Sequence, residues 1–326
     1  MKKIKTVLAF GGIYFIWGTT FLAIAYGLRG FPPFILSSIR FLAAGLLLMA
    51  YQLLRGERPF SIIDWLKNAV SGILILSFGT GLLAWGEQYI SSTEGCIIQA
   101  AAPFIFIAAD RPQWKTHFSN KKIIAGLVIG FIGLVLFLSG GLLASGAVSH
   151  AKLIGSAMVI VSLFFWVGGS LFTKKQPAAY SIATNTAQQL ICAGIFSLLL
   201  ATGNGEFKSF KAFRVPDQAW YGLGYLILFG SLMAYFSYQY LLSVERPVIV
   251  STHTYINPLV AVFAGWLLAG EKITALQVAG LIITLAGVFI TNMDKYKSKK
   301  KSPKSVVVNI KGRKHSLRLI TSETNR

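Results

Sequence analysis

Residues 252–273 read THTYINPLVAVFAGWLLAGEKI. The second half is apolar enough to cross a bilayer, yet His253, Tyr255, Asn257 and Pro258 crowd the first. A helix facing only lipid has no partners for such groups, and leaving them unsatisfied in hydrocarbon is costly. His253 and Asn257 stand four residues apart, so they share one helix face. Pro258 lacks an amide hydrogen and frees a carbonyl near residue 254. The stretch therefore predicts a membrane helix interrupted beside protein or water, and the rest of the chain has to supply those surroundings.

The 326 residues are 54% hydrophobic and 13% charged, with a mean hydropathy of +0.63. A soluble chain carries about a quarter charged residues. Apolar runs recur throughout, which predicts an all-α integral membrane protein with ten transmembrane helices. Their expected positions are 7–27, 32–54, 68–90, 93–111, 122–142, 152–172, 181–202, 219–241, 248–269 and 273–293. The N-terminal apolar stretch is too long for a signal-peptide core and reads as the first span.

The net charge of +20 would indicate nucleic acid in a soluble protein. Here the excess flanks the spans and fills residues 294–326, so no nucleic-acid partner is expected. Lys and Arg are more frequent in the loops on the N-terminal side than in those opposite, 13 against 6 before the tail is counted. That bias puts both termini in the cytoplasm, in a multi-pass protein of a bacterial inner membrane. The tail DKYKSKKKSPKSVVVNIKGRKHSLRLITSETNR has the composition of a disordered segment. Its lysines suit anionic lipid headgroups. Cys96 and Cys192 are too few for a metal cage and read as small apolar fillers. No metal or cofactor is expected, and no phosphate-binding loop appears.

The chain also echoes itself. Phe15 and Trp17 recur as Phe164 and Trp166, and Ala44-Gly45 as Ala193-Gly194, all 149 residues apart. Gly126 and Gly133 match Gly280 and Gly287 at 154, and Pro103 matches Pro258 at 155, each proline mid-span in the fourth helix of its half. Five helices per half is an odd number, so the second half enters the membrane from the opposite side. The expected architecture is two inverted-topology repeats, residues 1–147 and 148–293, followed by the basic tail 294–326.

Four stretches resemble the drug/metabolite transporter superfamily of EamA type: IWGTTFLA in the first span, SSIRFLAAGLLL in the second, LLAWGEQYISS ending the third, and YINPLVAVFAGWLLAGEKITALQVAGLIITLAGVFIT across the last two. The resemblance covers about residues 7 to 293. It implies ten helices in two inverted halves around a central cavity, and movement of small metabolites, often outward. Where the second half has Gly270-Glu271, the first departs from the pattern with Asp110-Arg111.

Polar and aromatic groups at membrane depth are the candidate substrate contacts. Trp17 and Trp166 occupy equivalent places near mid-membrane, too deep for an interfacial belt, and either face a cavity or pack helices. Thr20 follows Trp17 on the first span. Arg40 is the one basic residue within a span. It either holds an anionic substrate group, snorkels outward, or pairs with a carbonyl or Glu94; its counterpart is Gln189. Trp85 and Gln88 share a face near the end of the third span, and Gln99 stands four residues before Pro103. Tyr235 and Tyr238 stripe the eighth span, and His253, Tyr255 and Asn257 the ninth. Pro103 and Pro258 are candidate hinges. Together these predict a secondary transporter, not an enzyme, that exports small metabolites such as amino acids by alternating access. The alternatives are a polytopic membrane enzyme acting on a lipid-linked substrate, which would need a catalytic constellation, and a non-transporting scaffold or sensor working through its tail. Oligomeric state is not legible.

Overall fold

The structure, a computed structural model, describes residues 2–58, 61–90, 95, 98–142, 150–176, 180–269, 275–297, 306–310 and 313–317. Glu94, Cys96 and Gly270-Glu271 lie outside these residues. Helix dominates: α1 Lys2–Gly27, α2 Pro33–Leu54, α3 Ile62–Gly86, α4 Ala102–Ala109, α5 Lys121–Leu142, α6 His150–Lys175, α7 Ile182–Gly203, α8 Asp217–Val244, α9 His253–Ala269 and α10 Ala275–Lys297. Among the described residues six helices, α1, α2, α3, α6, α7 and α8, are long and apolar enough to cross a membrane. The chain is a multi-pass membrane protein.

Three boundaries differ from the sequence expectation. α3 begins at Ile62 rather than 68, because Asp64 in its first turn favours a helix start that a hydropathy window discards. The fourth span, expected over 93–111, is described as helix over Ala102–Ala109. Pro103 sits in its first turn, where a missing amide hydrogen costs no helical bond, so it is not mid-helix. Pro258 does lie inside α9. The tail, read as disordered, pairs Val306–Ile310 antiparallel with Arg313–Leu317, Val306 opposite Leu317. The β-branched Val306, Val307, Val308 and Ile310 favour a strand that the lysine content of the tail masks.

Within a bilayer, helices associate through close packing and polar contacts rather than through hydrophobic burial. α2 lies along α7 and α5 along α10. α1 packs on α8 and α9, while α6 packs on α3 and α4. Positions 149 apart exchange roles at the α2–α7 crossing. A Cβ on Gly45 would stand 2.8 Å from the Ile191 amide nitrogen, and one on Gly194 2.8 Å from that of Leu42. The α5–α10 crossing is as close, with Gly130 against Gly287. Only glycine permits these backbone approaches.

Two further correspondences frame the site. α3 and α8 both widen into π-helix, over Ile73–Thr80 and Leu226–Tyr235. The loops after α2 and α7 both turn on a left-handed glycine, Gly56 (φ 88°) and Gly205 (φ 70°), followed by a glutamate. Glu206 accepts hydrogen bonds from the amides of Phe34 (3.1 Å) and Ile35 (2.9 Å), satisfying the exposed N-terminus of α2. Glu57 accepts from the Thr184 hydroxyl (2.6 Å) in the first turn of α7. Each carboxylate thus ties the end of one helix to the start of the other.

Candidate functional site

α1 presents Trp17, Thr20, Phe21 and Ile24 at helical spacing toward the middle of the bundle. Arg40 of α2, Gly79, Thr80 and Leu83 of α3, Gln99, Trp166 of α6, and His253, Thr254, Asn257 and Pro258 of α9 face them. These residues line a cavity of about 70 Å³. That is room for one or two waters at about 30 Å³ each, and well below the ~300 Å³ at which small-molecule pockets begin.

One end of the cavity is capped by aromatic rings. Trp17 and Trp166 meet edge-on at 5.3 Å. Tyr238 lies 5.2 Å from Trp17 and 5.0 Å from Trp166, and His253 lies 4.8 Å from Trp17. The Trp17 indole donates to the Gly230 carbonyl (3.4 Å), and the Tyr238 hydroxyl contacts Ser170 Oγ (2.7 Å). Tyr235 continues the layer: its hydroxyl donates to Gln189 Oε1 (2.6 Å), and its ring stacks 6.4 Å from Tyr238.

Beyond this layer, at the end of the bundle where α1 begins, opens a polar well of about 250 Å³ lined by Asn68, Ser71, Asn185, Thr186, Gln189 and Gln239, among others. Its amides are tied together. Asn68 donates to Asn185 (3.0 Å) and Gln188 (2.6 Å), and Gln189 donates to Asn68 (3.1 Å). A septum of tyrosine and tryptophan therefore separates a polar well from the central cavity.

Arg40 is only 6% exposed, so it does not snorkel. Its Nε donates to Ser231 Oγ (3.2 Å), and its guanidinium stands 4.8 Å over the Phe41 ring. The one ion pair among the described residues joins Lys67 and Asp64 (3.8 Å), and Arg40 is in none. Gln99 reaches Ser162 Oγ (3.5 Å) while lining the cavity, so it does both things its sequence context allowed. The Asn257 side chain satisfies all its neighbours when its nitrogen faces the carbonyls of His253 (2.9 Å), Ile13 (3.2 Å) and Tyr14 (3.2 Å) and its oxygen accepts from His253 Nδ1 (3.1 Å). The amide thereby serves backbone near the break at Pro258.

Three expected contacts lie elsewhere. Tyr255 is fully buried against α5, its hydroxyl donating to the Leu127 carbonyl (3.2 Å) beside Gly130. It stands two residues from both His253 and Asn257, about 200° around the helix from each, so sequence proximity misleads. Trp85 and Gln88 line a broad depression at the opposite end of the bundle, Trp85 against Tyr89 (5.0 Å). Helix rise carries them beyond the cavity, which ends at Leu83. Pro103 is buried but is not among the residues lining the cavity.

The structure adds Phe21, Ile24, Gly79, Thr80, Leu83 and Thr254 to the cavity. It also adds the supports Gly230 and Ser231 behind Trp17 and Arg40. A sequence signal existed for the π segments: Phe78-Gly79-Thr80 and Phe229-Gly230-Ser231 are near-copies, 151 residues apart. Each falls where a helix widens, a common feature of functional sites.

Comparison with known proteins follows this geometry. The model of the EamA-like transporter family matches residues 4–139 and again residues 153–293. The uncharacterized inner membrane transporter YedA of Escherichia coli K12 is 28% identical over 87% of this chain and 89% of its own. An uncharacterized transporter of Archaeoglobus fulgidus is 31% identical, covering 88% and 97%. The probable amino-acid metabolite efflux pump of Salmonella typhimurium is 23% identical, covering 84% and 90%. One crystal structure superposes with a TM-score of 0.69 at 15% identity, over 90% of this chain and 99% of that one; it supports the fold alone.

Proposed function

The chain belongs to the EamA-like transporter family, and from that premise we propose that it is a secondary exporter of small metabolites, amino acids among them. It works by alternating access between two inverted five-helix halves, residues 1–147 and 148–293. One observation carries this reading: Trp17 and Trp166, equivalent residues 149 apart, meet at 5.3 Å at the boundary between the central cavity and the polar well. A seam built from both halves and closed by matched aromatic rings is what a rocking transporter needs at its midpoint. The exchanged contacts of Gly45 and Gly194 support the internal twofold relation, and the Salmonella relative's name supports the substrate class.

Substrate enters once the Trp17–Trp166–Tyr238 layer parts, which enlarges a space now too small for it. Pro258 is the pivot inside α9, where the missing backbone bond lowers the cost of bending. Pro103 flexes at the start of α4. With both termini in the cytoplasm of a bacterial cell, the polar well faces the cytoplasm and the basic tail meets anionic lipids. Counterflow of labelled amino acids into proteoliposomes tests the reading. The expected result is saturable flux that collapses in Trp17→Ala and Trp166→Ala; absence of flux across a broad metabolite panel overturns it.

A further inference from the structure

Two buried side chains at the cavity are not fully satisfied by the described residues. Arg40 brings five N–H donors, of which Nε alone has a hydrogen bond among the described residues, to Ser231. No described carboxylate pairs with its charge. A buried guanidinium without a counter-charge is a strongly destabilising element unless an anion arrives. The second is His253, whose Nε2 is buried and has no partner among the described residues. Asn257 Oδ1 accepts from Nδ1, so the neutral ring carries its hydrogen there. Nε2, at the edge far from its own helix, is left as a bare acceptor. One wall of the cavity thus lacks an anion and another lacks an N–H donor, and the Trp17 and Trp166 rings line the same cavity.

We propose that this cavity recognises a small zwitterion, its carboxylate on the Arg40 guanidinium, its ammonium donating to His253 Nε2 and its apolar body against the Trp17 and Trp166 rings. The assignment rests on the transport reading and sharpens it. A bidentate carboxylate fits the planar fork of arginine better than any neutral group. An ammonium alone is repelled by Arg40, so a simple amine is excluded even though aromatic rings attract cations. The same position in the other half is Gln189, whose amide is already spent on Asn68 and Tyr235. Charge recognition therefore comes from one half only.

The test uses the full chain in lipid nanodiscs for binding and in proteoliposomes for counterflow. The probes share one body: L-leucine, 4-methylpentanoate, which lacks the ammonium, and 3-methylbutylamine, which lacks the carboxylate; L-phenylalanine, 3-phenylpropanoate and 2-phenylethylamine form a larger set. The zwitterion should bind about tenfold more tightly than the matching carboxylate, and the amine should not compete. Arg40→Gln should weaken the zwitterion and the carboxylate by about tenfold or more, with Arg40→Lys between it and the parent. His253→Phe keeps an aromatic ring and should bring the zwitterion down to the carboxylate's level while leaving the carboxylate unchanged. Equal binding of amine and carboxylate by the parent protein overturns the assignment, as does Arg40→Gln with unchanged preference; both are the results expected if Arg40 is neutralised by a protein carboxylate. Saturable flux of amines alone would sink the assignment and leave the transporter reading standing, whereas flux of no probe and of no other metabolite would sink both.

Discussion

Arg40 and Gln189 stand 149 residues apart, at matching places on α2 and α7, and both are buried. Their surroundings are opposite. Gln189 donates to Asn68 and accepts from Tyr235, inside an amide network at the polar well. Arg40 has one hydrogen bond among the described residues, to Ser231, and lines a cavity. A satisfied neutral amide holds helices in place, while a buried cation left in deficit stores a demand for a ligand. The two matching positions therefore differ in how far the described residues satisfy them.

The largest expected effect falls on what the halves share. Gly45→Leu and Gly194→Leu each drive a side chain into the facing backbone, at a cost of about 3 kcal/mol or more. Fluorescence-detected size exclusion should find neither variant folded. If only one fails, the two crossings are not equivalent. Next comes the swap at the contrasting pair. Gln189→Arg buries a charge without a partner and strips bonds from Asn68 and Tyr235, lowering stability by about 3 kcal/mol. Arg40→Gln should leave thermal stability in detergent equal or higher while flux falls. Equal stability losses in both variants would erase the distinction between the two sites.

Smaller effects separate the two tyrosines of the septum. Tyr235→Phe leaves the buried Gln189 Oε1 without its donor, costing about 1–3 kcal/mol. Tyr238→Phe costs about 1 kcal/mol or less, because Ser170 Oγ still donates to the Trp166 carbonyl (2.7 Å). Thermal unfolding of the pair gives the order directly.

The smallest effects concern the two glutamate ties, which titrate with opposite signs. The Thr184 hydroxyl holds the Glu57 carboxyl below its ordinary 4.5. Its contribution is present above that value and is lost as pH falls through the lowered one. Burial pushes Glu206 above 4.5, against the pull of the Ile35 and Phe34 amides. For Glu206 the protonated form is favoured by folding, so the fold gains relative stability as pH falls through the raised value. Melting curves between neutral and acid pH should show Glu57→Gln removing an acid-side loss and Glu206→Gln removing an acid-side gain; shifts of the same sign would contradict this.

How much of this was legible before the structure depends on the kind of residue. Trp17 and Trp166 were found because a repeated aromatic at membrane depth survives any error in helix ends, and their meeting follows from that equivalence. His253, Asn257 and Pro258 were found because four-residue spacing puts a polar pair on one face. Tyr255 was misjudged, since two residues along a helix turn a side chain through about 200°, here onto α5. Trp85 and Gln88 were misplaced because spacing gives a face but not a depth. Gly230 and Ser231 were missed, as their role lies in a π-helical widening that hydropathy does not register.

The sequence alone determined that this chain lives in a bilayer, that its plan is duplicated, and which few polar groups need explaining, because hydrocarbon leaves backbone and side-chain polar groups so few solutions. Only the tertiary structure decided which of those groups are already answered by protein. Gln99, Gln189 and Tyr235 find partners on other helices, whereas Arg40 and His253 line the cavity with hydrogen-bonding capacity that no described residue uses. Hydrogen-bond satisfaction is settled between distant segments across a few ångströms, and no spacing along one helix encodes it.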